Sequence, residues 1–138
     1  MKHTRSSSPL YFKTTQSRKS AELLEDYAEA IDEILNKKGS VKNVDLCQFF
    51  GVSNATVSKN IKRLINAELV ESDKYTNIFL TKNGKKLADQ SNTRHQILFN
   101  FLIKLGISRK TAETDSEGME HHISDETLKV MKKFIQSN

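Results

Sequence analysis

The segment between Asn43 and Leu64 narrows the folds open to this chain more than any other part of the sequence. Its residues, NVDLCQFFGVSNATVSKNIKRL, form two short helical patterns, and Gly51 between them permits a tight turn. Cys47, Gly51 and Val57 have the spacing typical of a helix-turn-helix, with a small residue where the two helices cross. We therefore interpret Cys47 as a packing residue, since nothing near it in the sequence suggests an activated redox thiol.

The sequence on either side of this motif predicts a winged domain over residues 20–90. Before the motif, a helix is expected to begin at Ser20, which is a good capping residue, and to stop at Gly39. After it, LVESDKYTNIFLT is typical of two short strands around a turn at residues 74–77. Thr81 is then expected to cap a further helix that begins KNGKKLA.

A second, all-helical domain is predicted for residues 91–138. One helix should cover residues 91–105 and end at Gly106, and Ser108 and Ser124 should cap the two helices that follow. The predicted fold class is thus mainly α (α+β). Two apolar helix faces in this domain exceed what a unit of about 50 residues can bury alone, so we expect a homodimer. These faces consist of Leu98, Leu102 and Leu105 on one helix and Leu128, Met131 and Ile135 on the last.

Basic side chains are concentrated in two parts of the chain. Residues 1–20 hold five basic residues and no acidic one, and we predict that residues 1–19 form a disordered basic arm. Residues 51–90 hold 7 basic against 4 acidic residues, whereas residues 21–50 hold 3 against 7. Such a local basic segment is better evidence for nucleic-acid binding than the overall net charge of +5.

The composition excludes several other classes of protein. A single cysteine leaves no disulfide framework and no cysteine-based zinc site within one chain. No apolar run approaches the roughly 20 residues of a membrane span, and the N-terminal residues lack the apolar core of a signal peptide. We therefore expect a cytoplasmic protein that spans no membrane.

The second helix of the motif should present a short, polar and cationic face. Val57, Ile61 and Leu64 are expected to face the core, which directs polar and basic side chains outward. Such side chains can address base edges in a major groove and hold phosphates. The alternative is an ordinary amphipathic helix with a solvated basic face, but the turn before it and the wing after it favour DNA binding. The residues expected to contact double-stranded DNA are Ser53, Asn54, Ala55, Thr56, Ser58, Lys59, Lys62 and Arg63, together with Lys74, Tyr75 and Asn77 in the wing.

The segment SEGMEHH predicts part of a metal site. Glu117, Glu120 and His121 are spaced i, i+3, i+4, so they project from one face of a helix. Three ligands are too few for a six-coordinate ion, and each further candidate, taken alone, could be an ordinary solvated side chain. The further candidates are Asp26, Glu29 and His95. Together with the first three residues they would supply four carboxylates and two imidazoles and no thiolate. Such a set of ligands suits Mn²⁺ or Fe²⁺, whereas Ca²⁺ and Mg²⁺ prefer oxygen ligands.

Four motifs together resemble the manganese-responsive repressors of the diphtheria-toxin-repressor family. They are ED-Y-x-E at residues 25–29, LTKNGKKLA after the wing, RH at residues 94–95, and EGMEHHIS. The resemblance extends over about residues 21–136 and implies a dimeric bacterial regulator with a two-metal site. The ligands it implies are Asp26, Glu29, His95, Glu117, Glu120 and His121.

One departure from the iron-responsive members of this family narrows the ion. They carry Met and Cys where this chain has Asp26 and Glu117, and exchanging sulfur for carboxylate points to Mn²⁺. We expect two Mn²⁺ ions per chain, with Fe²⁺ as the possible alternative. His122 is not a ligand in the family, and we interpret it as structural or as support for a ligand.

The function expected from the sequence is a Mn²⁺-activated repressor that binds a palindromic operator as a homodimer and controls metal-homeostasis genes. It is not expected to be an enzyme or to bind a small organic substrate. One alternative is a winged-helix regulator of an organic ligand, in which the acidic and histidine residues are merely solvated. A dimetal carboxylate enzyme is a weaker alternative, because paired Glu-x-x-His ligands on a long four-helix bundle and an H-E-x-x-H motif are both absent from the sequence.

Overall fold

The computed structural model describes His3 and residues 9–137, with side chains described from Lys19 onward. Within these residues the chain forms six α-helices, a 3₁₀ turn and one antiparallel two-stranded sheet. In chain order they are α1 (Pro9–Lys38), α2 (Asn43–Phe50), α3 (Asn54–Asn66), β1 (Val70–Ser72), β2 (Ile78–Leu80), α4 (Lys82–Lys104), α5 (Arg109–Met119), the 3₁₀ turn (Glu120–His122) and α6 (Asp125–Gln136).

The predicted helix-turn-helix and wing are confirmed. Gly51 ends α2 with φ at +66°, a conformation that glycine adopts without strain. The Ser53 hydroxyl then accepts a hydrogen bond from the Thr56 amide and caps α3, as expected. In the wing, β1 and β2 pair with Val70 opposite Leu80, and the loop between them contains the predicted turn residues.

The first helix begins earlier than predicted, at Pro9 rather than at Ser20. The prediction of a disordered arm is therefore wrong from Pro9 onward, and the earlier residues of the arm, apart from His3, lie outside the described residues. Proline suits the first position of a helix, and no glycine or further proline follows it before Gly39. Extending an existing helix also avoids the cost of nucleating a new one.

Helix α4 is continuous where two helices were predicted. It begins after the predicted cap at Thr81 and runs through Ser91, so the boundary expected between residues 90 and 91 falls inside it. Ser91 is buried, and its hydroxyl lies close enough to the Glu29 carboxylate on α1 to lower the pKa of that group. No glycine or proline close to Ser91 in the sequence interrupts the backbone hydrogen bonds of the helix.

The core lies between α1, the helix-turn-helix and the wing. Ile31, Leu46 and Leu64 are fully buried there, and the partly buried Cys47 packs against them, which confirms its interpretation as a packing residue. Gly84 lets α4 begin close to the chain before β1, because a Cβ there would lie 2.0 Å from the Leu69 carbonyl oxygen. Helix α1 also contacts α4 and the 3₁₀ turn, so it is shared by both halves of the molecule.

The apolar faces of the second domain are arranged differently from the prediction. Leu98, Leu102 and Leu128 are buried within the chain and cannot form a dimer surface. Leu105 is exposed as expected, and Val130 and Phe134, which were not singled out, are exposed beside it. These side chains line a groove of about 570 Å³ between α4 and α6. Met131 also lines the groove, and Ile135 is half-buried. Across residues 9–137, none of the helices combines the length and apolar character needed to cross a bilayer.

Candidate metal centre and DNA-reading surface

The predicted metal ligands converge where α1 meets α4 and the end of α5. Asp26 and Glu29 lie one turn apart on α1, and His95 lies on α4, which packs against α1. Three groups of potential ligand atoms overlap here, and the atoms within each group lie within 4.8 Å of one another. Glu120 belongs to two of the groups, and so does His121. The groups are Glu29 with Glu120 and His121, His95 with Glu117 and Glu120, and Glu22 with Asp26 and His121.

Glu120 lies at the centre of this arrangement. Its Oε2 is 3.4 Å from His95 Nδ1, and its Oε1 is 3.4 Å from His121 Nε2. His95 Nδ1 is also 3.6 Å from Glu117 Oε1, while His121 Nε2 is 2.9 Å from Asp26 Oδ1. All six side chains predicted as ligands are thus joined through two shared residues.

The centre contains polar atoms that the protein itself does not satisfy. Both carboxylate oxygens of Glu120, Oε1 of Glu29 and Nδ1 of His95 are buried without a hydrogen-bond partner among the described residues. The Glu120 side chain is only 1% exposed. Burying a charged or polar group without a hydrogen-bond partner can reduce folding stability by several kcal/mol, so such atoms are rare in folded proteins. Their clustering at one point fits a cation that binds between them.

The protonation of the two buried glutamates fits the same conclusion. Burial raises the pKa of Glu120 to about 8, and the nearby charges of Glu29 and Glu117 add to the effect. Burial likewise raises the pKa of Glu29 to about 7. Without a cation these carboxyls hold protons near neutral pH, and a divalent ion would displace those protons.

The pKa of His121 is raised, although burial by itself would lower it. Burial disfavours its charged form, but hydrogen bonds to Asp26 and Glu25 outweigh this and raise its pKa to about 10. In the metal-free protein the imidazolium therefore supplies the positive charge between the carboxylates. A metal ligand must be the neutral imidazole, so ion binding exchanges this proton for the metal charge.

Two residues that support the ligands were not identified from the sequence. Glu25 Oε2 lies 2.6 Å from His121 Nδ1, which leaves Nε2 facing Asp26 and Glu120. Arg94 donates from Nε to the Glu120 carbonyl oxygen at 2.8 Å and from Nη2 to the Ile123 carbonyl oxygen, so it holds the 3₁₀ turn against α4. Carboxylate partners of ligating histidines commonly fix ring orientation. Both residues directly precede a predicted ligand, within the ED and RH motifs, but that proximity did not reveal their roles.

The face of α3 predicted to read DNA is largely free. Val57, Ile61 and Leu64 are buried as expected. Seven of the residues predicted to contact DNA on this helix and its cap are exposed. They are Ser53, Asn54, Ala55, Thr56, Lys59, Lys62 and Arg63.

Several of the residues predicted to contact DNA also form side-chain hydrogen bonds within the chain. Ser58 is half-buried and accepts a hydrogen bond from Asn43 Nδ2 at 2.9 Å. Arg63 Nη2 donates to the Ser20 hydroxyl at 2.6 Å. In the wing, Asn77 Nδ2 donates to Asp73 at 3.1 Å and stabilises the turn, whereas Lys74 and Tyr75 are exposed. Lys74 and Tyr75 are therefore the freer wing residues.

A buried hydrogen bond links the metal-site helix to the DNA-reading helix. Asn60 on α3 donates from Nδ2 to the Tyr27 hydroxyl at 3.0 Å, and both residues are buried. Tyr27 directly follows Asp26 on α1. This hydrogen bond therefore connects α1, next to the predicted metal ligands, directly to α3 inside the core.

A winged helix-turn-helix whose first helix also supplies carboxylates to a buried cluster of potential metal ligands fits the class of metal-dependent DNA-binding regulators. Two family models match the chain. The iron dependent repressor N-terminal DNA binding domain matches residues 20–78, and the iron dependent repressor metal binding and dimerisation domain matches residues 81–137.

Known relatives agree with this class. The chain is 42% identical to the transcriptional regulator MntR of Escherichia coli O6:H1 over 92% of its own length and 82% of that protein. It is 40% identical to MntR of Salmonella typhimurium over 92% of its length and 81% of that protein. The chain therefore belongs to the iron-dependent repressor family, as the sequence motifs predicted, and it is a metal-dependent transcriptional repressor rather than an enzyme.

Solved structures share the fold. The structure of the manganese regulator SloR matches 82% of this chain and 53% of its own, with 29% identity and a TM-score of 0.71. A manganese-dependent transcriptional repressor in complex with manganese matches 82% of this chain and 52% of its own, with 26% identity and a TM-score of 0.73. The chain thus spans about half the length of these solved proteins.

Proposed function

We propose that this protein is a Mn²⁺-activated repressor that binds a palindromic operator as a homodimer and controls genes of metal-ion homeostasis. The observation that carries the proposal is the cluster of buried, unpartnered ligand atoms around Glu120. An organic-ligand regulator would need no such cluster. Because its partner is DNA, we expect the protein to act in the cytoplasm.

The ligands of the proposed centre are Asp26, Glu29, His95, Glu117, Glu120 and His121. Two of the overlapping groups around Glu120 can each hold one ion, which supports two ions per chain. The donor set contains carboxylates and imidazoles and no sulfur, which suits Mn²⁺ and leaves Fe²⁺ as the closest competitor. Two of the similar solved proteins, the manganese regulator SloR and a manganese-dependent transcriptional repressor, are named for the same ion.

The proposed switch is mechanical. Ions between α1 and the 3₁₀ turn offset the repulsion of the converging carboxylates and fix α1 against the second domain. The Tyr27–Asn60 hydrogen bond then carries that restraint to α3. In a dimer, fixing both copies of α3 sets the spacing at which they enter successive major grooves. Metal and DNA must strengthen each other's binding by the same factor.

We propose the groove between α4 and α6 as the dimer surface. Leu105, Val130 and Phe134 are its most exposed apolar side chains. The groove lies within the part of the chain that matches the metal binding and dimerisation domain. Lys104 borders it and donates to carbonyl oxygens at the C-terminal end of α6, which holds the groove's two walls together.

The decisive test is operator binding as a function of metal. A random duplex library selected with the protein and Mn²⁺ should yield a palindromic site, and affinity for that site is then measured with Mn²⁺, Fe²⁺, Zn²⁺ or no metal. We expect Mn²⁺ to increase the operator affinity by a factor of about 5 to 150, the range typical of allosteric coupling. Equal affinity with and without every metal would contradict the proposal and favour the organic-ligand regulator.

A further inference from the structure

We propose that the N-terminal part of α1, residues 9–19, binds the phosphate backbone of DNA next to the bases that α3 reads. We call these residues the α1 extension, because the first helix was expected to begin only at Ser20. The inference rests on the proposed function and deepens it, since the partner is the same operator DNA. It gives a role to basic residues that neither the metal centre nor the exposed face of α3 uses.

The α1 extension carries positive charge and no negative charge. Residues 1–20 hold five basic side chains and no acidic one, and three of the basic residues, Lys13, Arg18 and Lys19, belong to the extension. The acidic residues of α1 begin only at Glu22, which lies among the potential metal ligands. A segment with basic side chains and no carboxylate attracts a polyanion such as a DNA backbone.

Two hydrogen bonds place the α1 extension beside the C-terminal end of α3. Tyr27 on α1 accepts from Asn60 on α3 at 3.0 Å. Closer to the N-terminus of α1, the Ser20 hydroxyl accepts from Arg63 at 2.6 Å. Because α3 ends at Asn66, following α1 toward its N-terminus leads toward the C-terminal end of α3. The α1 extension continues from Ser20 in that direction.

This end of α3 is the one expected near phosphates. The first residues of a reading helix contact base edges in the major groove, and the opposite end of the helix lies closer to the backbone that borders the groove. With eleven residues, the α1 extension is about 16 Å long, which corresponds to roughly five base pairs of duplex. It is long enough to follow the backbone beyond the bases that α3 reads.

The basic side chains where α1 meets α3 are not neutralised by neighbouring carboxylates. Lys19 is exposed, and so are the basic residues of α3, which are Lys59, Lys62 and Arg63. Among the side chains that the structure describes, none of these four forms an ion pair. Like charges that lie close together repel one another, and a phosphate backbone offsets that repulsion. The two helices therefore offer adjoining positive surfaces to one DNA duplex.

The test removes the charges of the α1 extension from the full-length protein. The triple variant carries Lys13→Gln, Arg18→Gln and Lys19→Gln, because glutamine has a helix propensity similar to those of lysine and arginine. Operator affinity with Mn²⁺ is measured over a range of salt concentrations. One duplex extends about one helical turn beyond each end of the palindrome, and the other is trimmed to the palindrome. The matched control removes three exposed lysines of α5 and α6 by Lys110→Gln, Lys129→Gln and Lys132→Gln.

On the extended duplex, the triple variant should bind at least tenfold more weakly than the wild-type protein. The slope of log affinity against log salt should fall by at least about 2, since each lost phosphate contact contributes about 0.9. Lys19→Gln alone should reduce the slope by about 1. On the trimmed duplex the triple variant and the wild-type protein should bind alike. The control should match the wild-type protein on both duplexes, and the factor by which Mn²⁺ increases affinity should be the same in all of them.

The outcomes separate this inference from the proposed function. Equal slopes for the wild-type protein and a triple variant that is folded by circular dichroism would overturn it. The same loss of affinity in the control would also overturn it, because the effect would then follow net charge alone. A loss of equal size on both duplexes would place the contact inside the palindrome and contradict the proposal. Absence of Mn²⁺ activation in the wild-type protein would instead refute the proposed function, and salt slopes on any duplex would still test the α1 extension.

Discussion

The metal centre and the DNA-reading face of α3 use polar side chains in opposite ways. In the metal centre, Glu29, His95 and Glu120 are held in place with buried atoms that lack partners. On α3, Lys59 and Lys62 are exposed, and their side chains are free to adjust to a phosphate backbone. A buried site whose polar atoms lack partners responds to small cations, whereas a solvated basic face contributes DNA affinity that depends on salt concentration. A buried hydrogen bond between Tyr27 and Asn60 connects the helices that carry these two regions.

The largest expected effect comes from removing the shared ligand. Glu120→Ala should abolish metal-activated operator binding, because two of the three groups of potential ligand atoms include Glu120. We expect a loss on the order of 100-fold or more in operator affinity at saturating Mn²⁺, beyond the 10- to 100-fold typical for residues that only support ligands. Calorimetry measures the loss of Mn²⁺ binding, and operator-binding assays measure the loss of DNA affinity. Glu113→Ala, at an exposed position on α5, is the matched control; undiminished Mn²⁺ dependence in Glu120→Ala would refute the centre.

A smaller effect is expected on the opposite side of the comparison. Lys62→Ala should weaken binding to all DNA sequences by a similar factor and reduce the slope of log affinity against log salt by about 1. Its dependence on Mn²⁺ should be unchanged, because Lys62 lies outside the metal centre. Binding measured over a range of salt concentrations tests both statements. Lys110→Ala, on the exposed surface of α5, should retain the wild-type slope.

The link between the two regions can be tested separately. Tyr27→Phe removes the hydroxyl that accepts from Asn60 and leaves a buried amide without a partner. The free energy of unfolding should fall by about 1–3 kcal/mol, and operator affinity at saturating Mn²⁺ should fall roughly fivefold, equivalent to about 1 kcal/mol. A double-mutant cycle with Asn60→Ala isolates the coupling. If the two substitutions have additive effects on operator affinity, the hydrogen bond does not transmit the metal signal.

The smallest expected effect is a dependence on pH. Glu29 and Glu120, with pKa values raised from 4.5 to about 7 and about 8, bind protons more tightly when folded than when unfolded. Their contribution to stability is therefore present at low pH and is lost as pH rises through these values. His121, with its pKa raised to about 10, acts in the same direction at higher pH.

Thermal unfolding between about pH 6 and pH 8 measures this effect. The metal-free protein should become less stable as pH rises across that window, and the stabilisation by Mn²⁺ should grow because fewer protons compete with the ion. In Glu120→Ala both trends should weaken. Metal-free stability that increases with pH over this window would contradict the proposed environment of the two glutamates.

Much of the molecule was predictable because the controlling interactions are local. The caps at Ser53, Thr81, Ser108 and Ser124 depend on hydrogen bonds to amides within the next three residues, and all four are observed. The turn at Gly51 depends on the conformation of one residue. The ligand set combined residue types and spacing with a family resemblance, and the structure brings all six side chains to one place.

Contacts between elements that are far apart in the sequence were decided only by the tertiary structure. Periodicity identified apolar faces on α4 and α6, but packing between those helices buries Leu98 and Leu128 and leaves Leu105 and Val130 exposed. A new helix was expected to begin at Ser91, yet this residue lies buried inside the continuous helix α4. The supporting contacts of Glu25 and Arg94 join residues 96 and 26 positions apart. A one-dimensional pattern shows which side of a helix is apolar or charged, but the partner that this side meets is determined only when the whole chain folds.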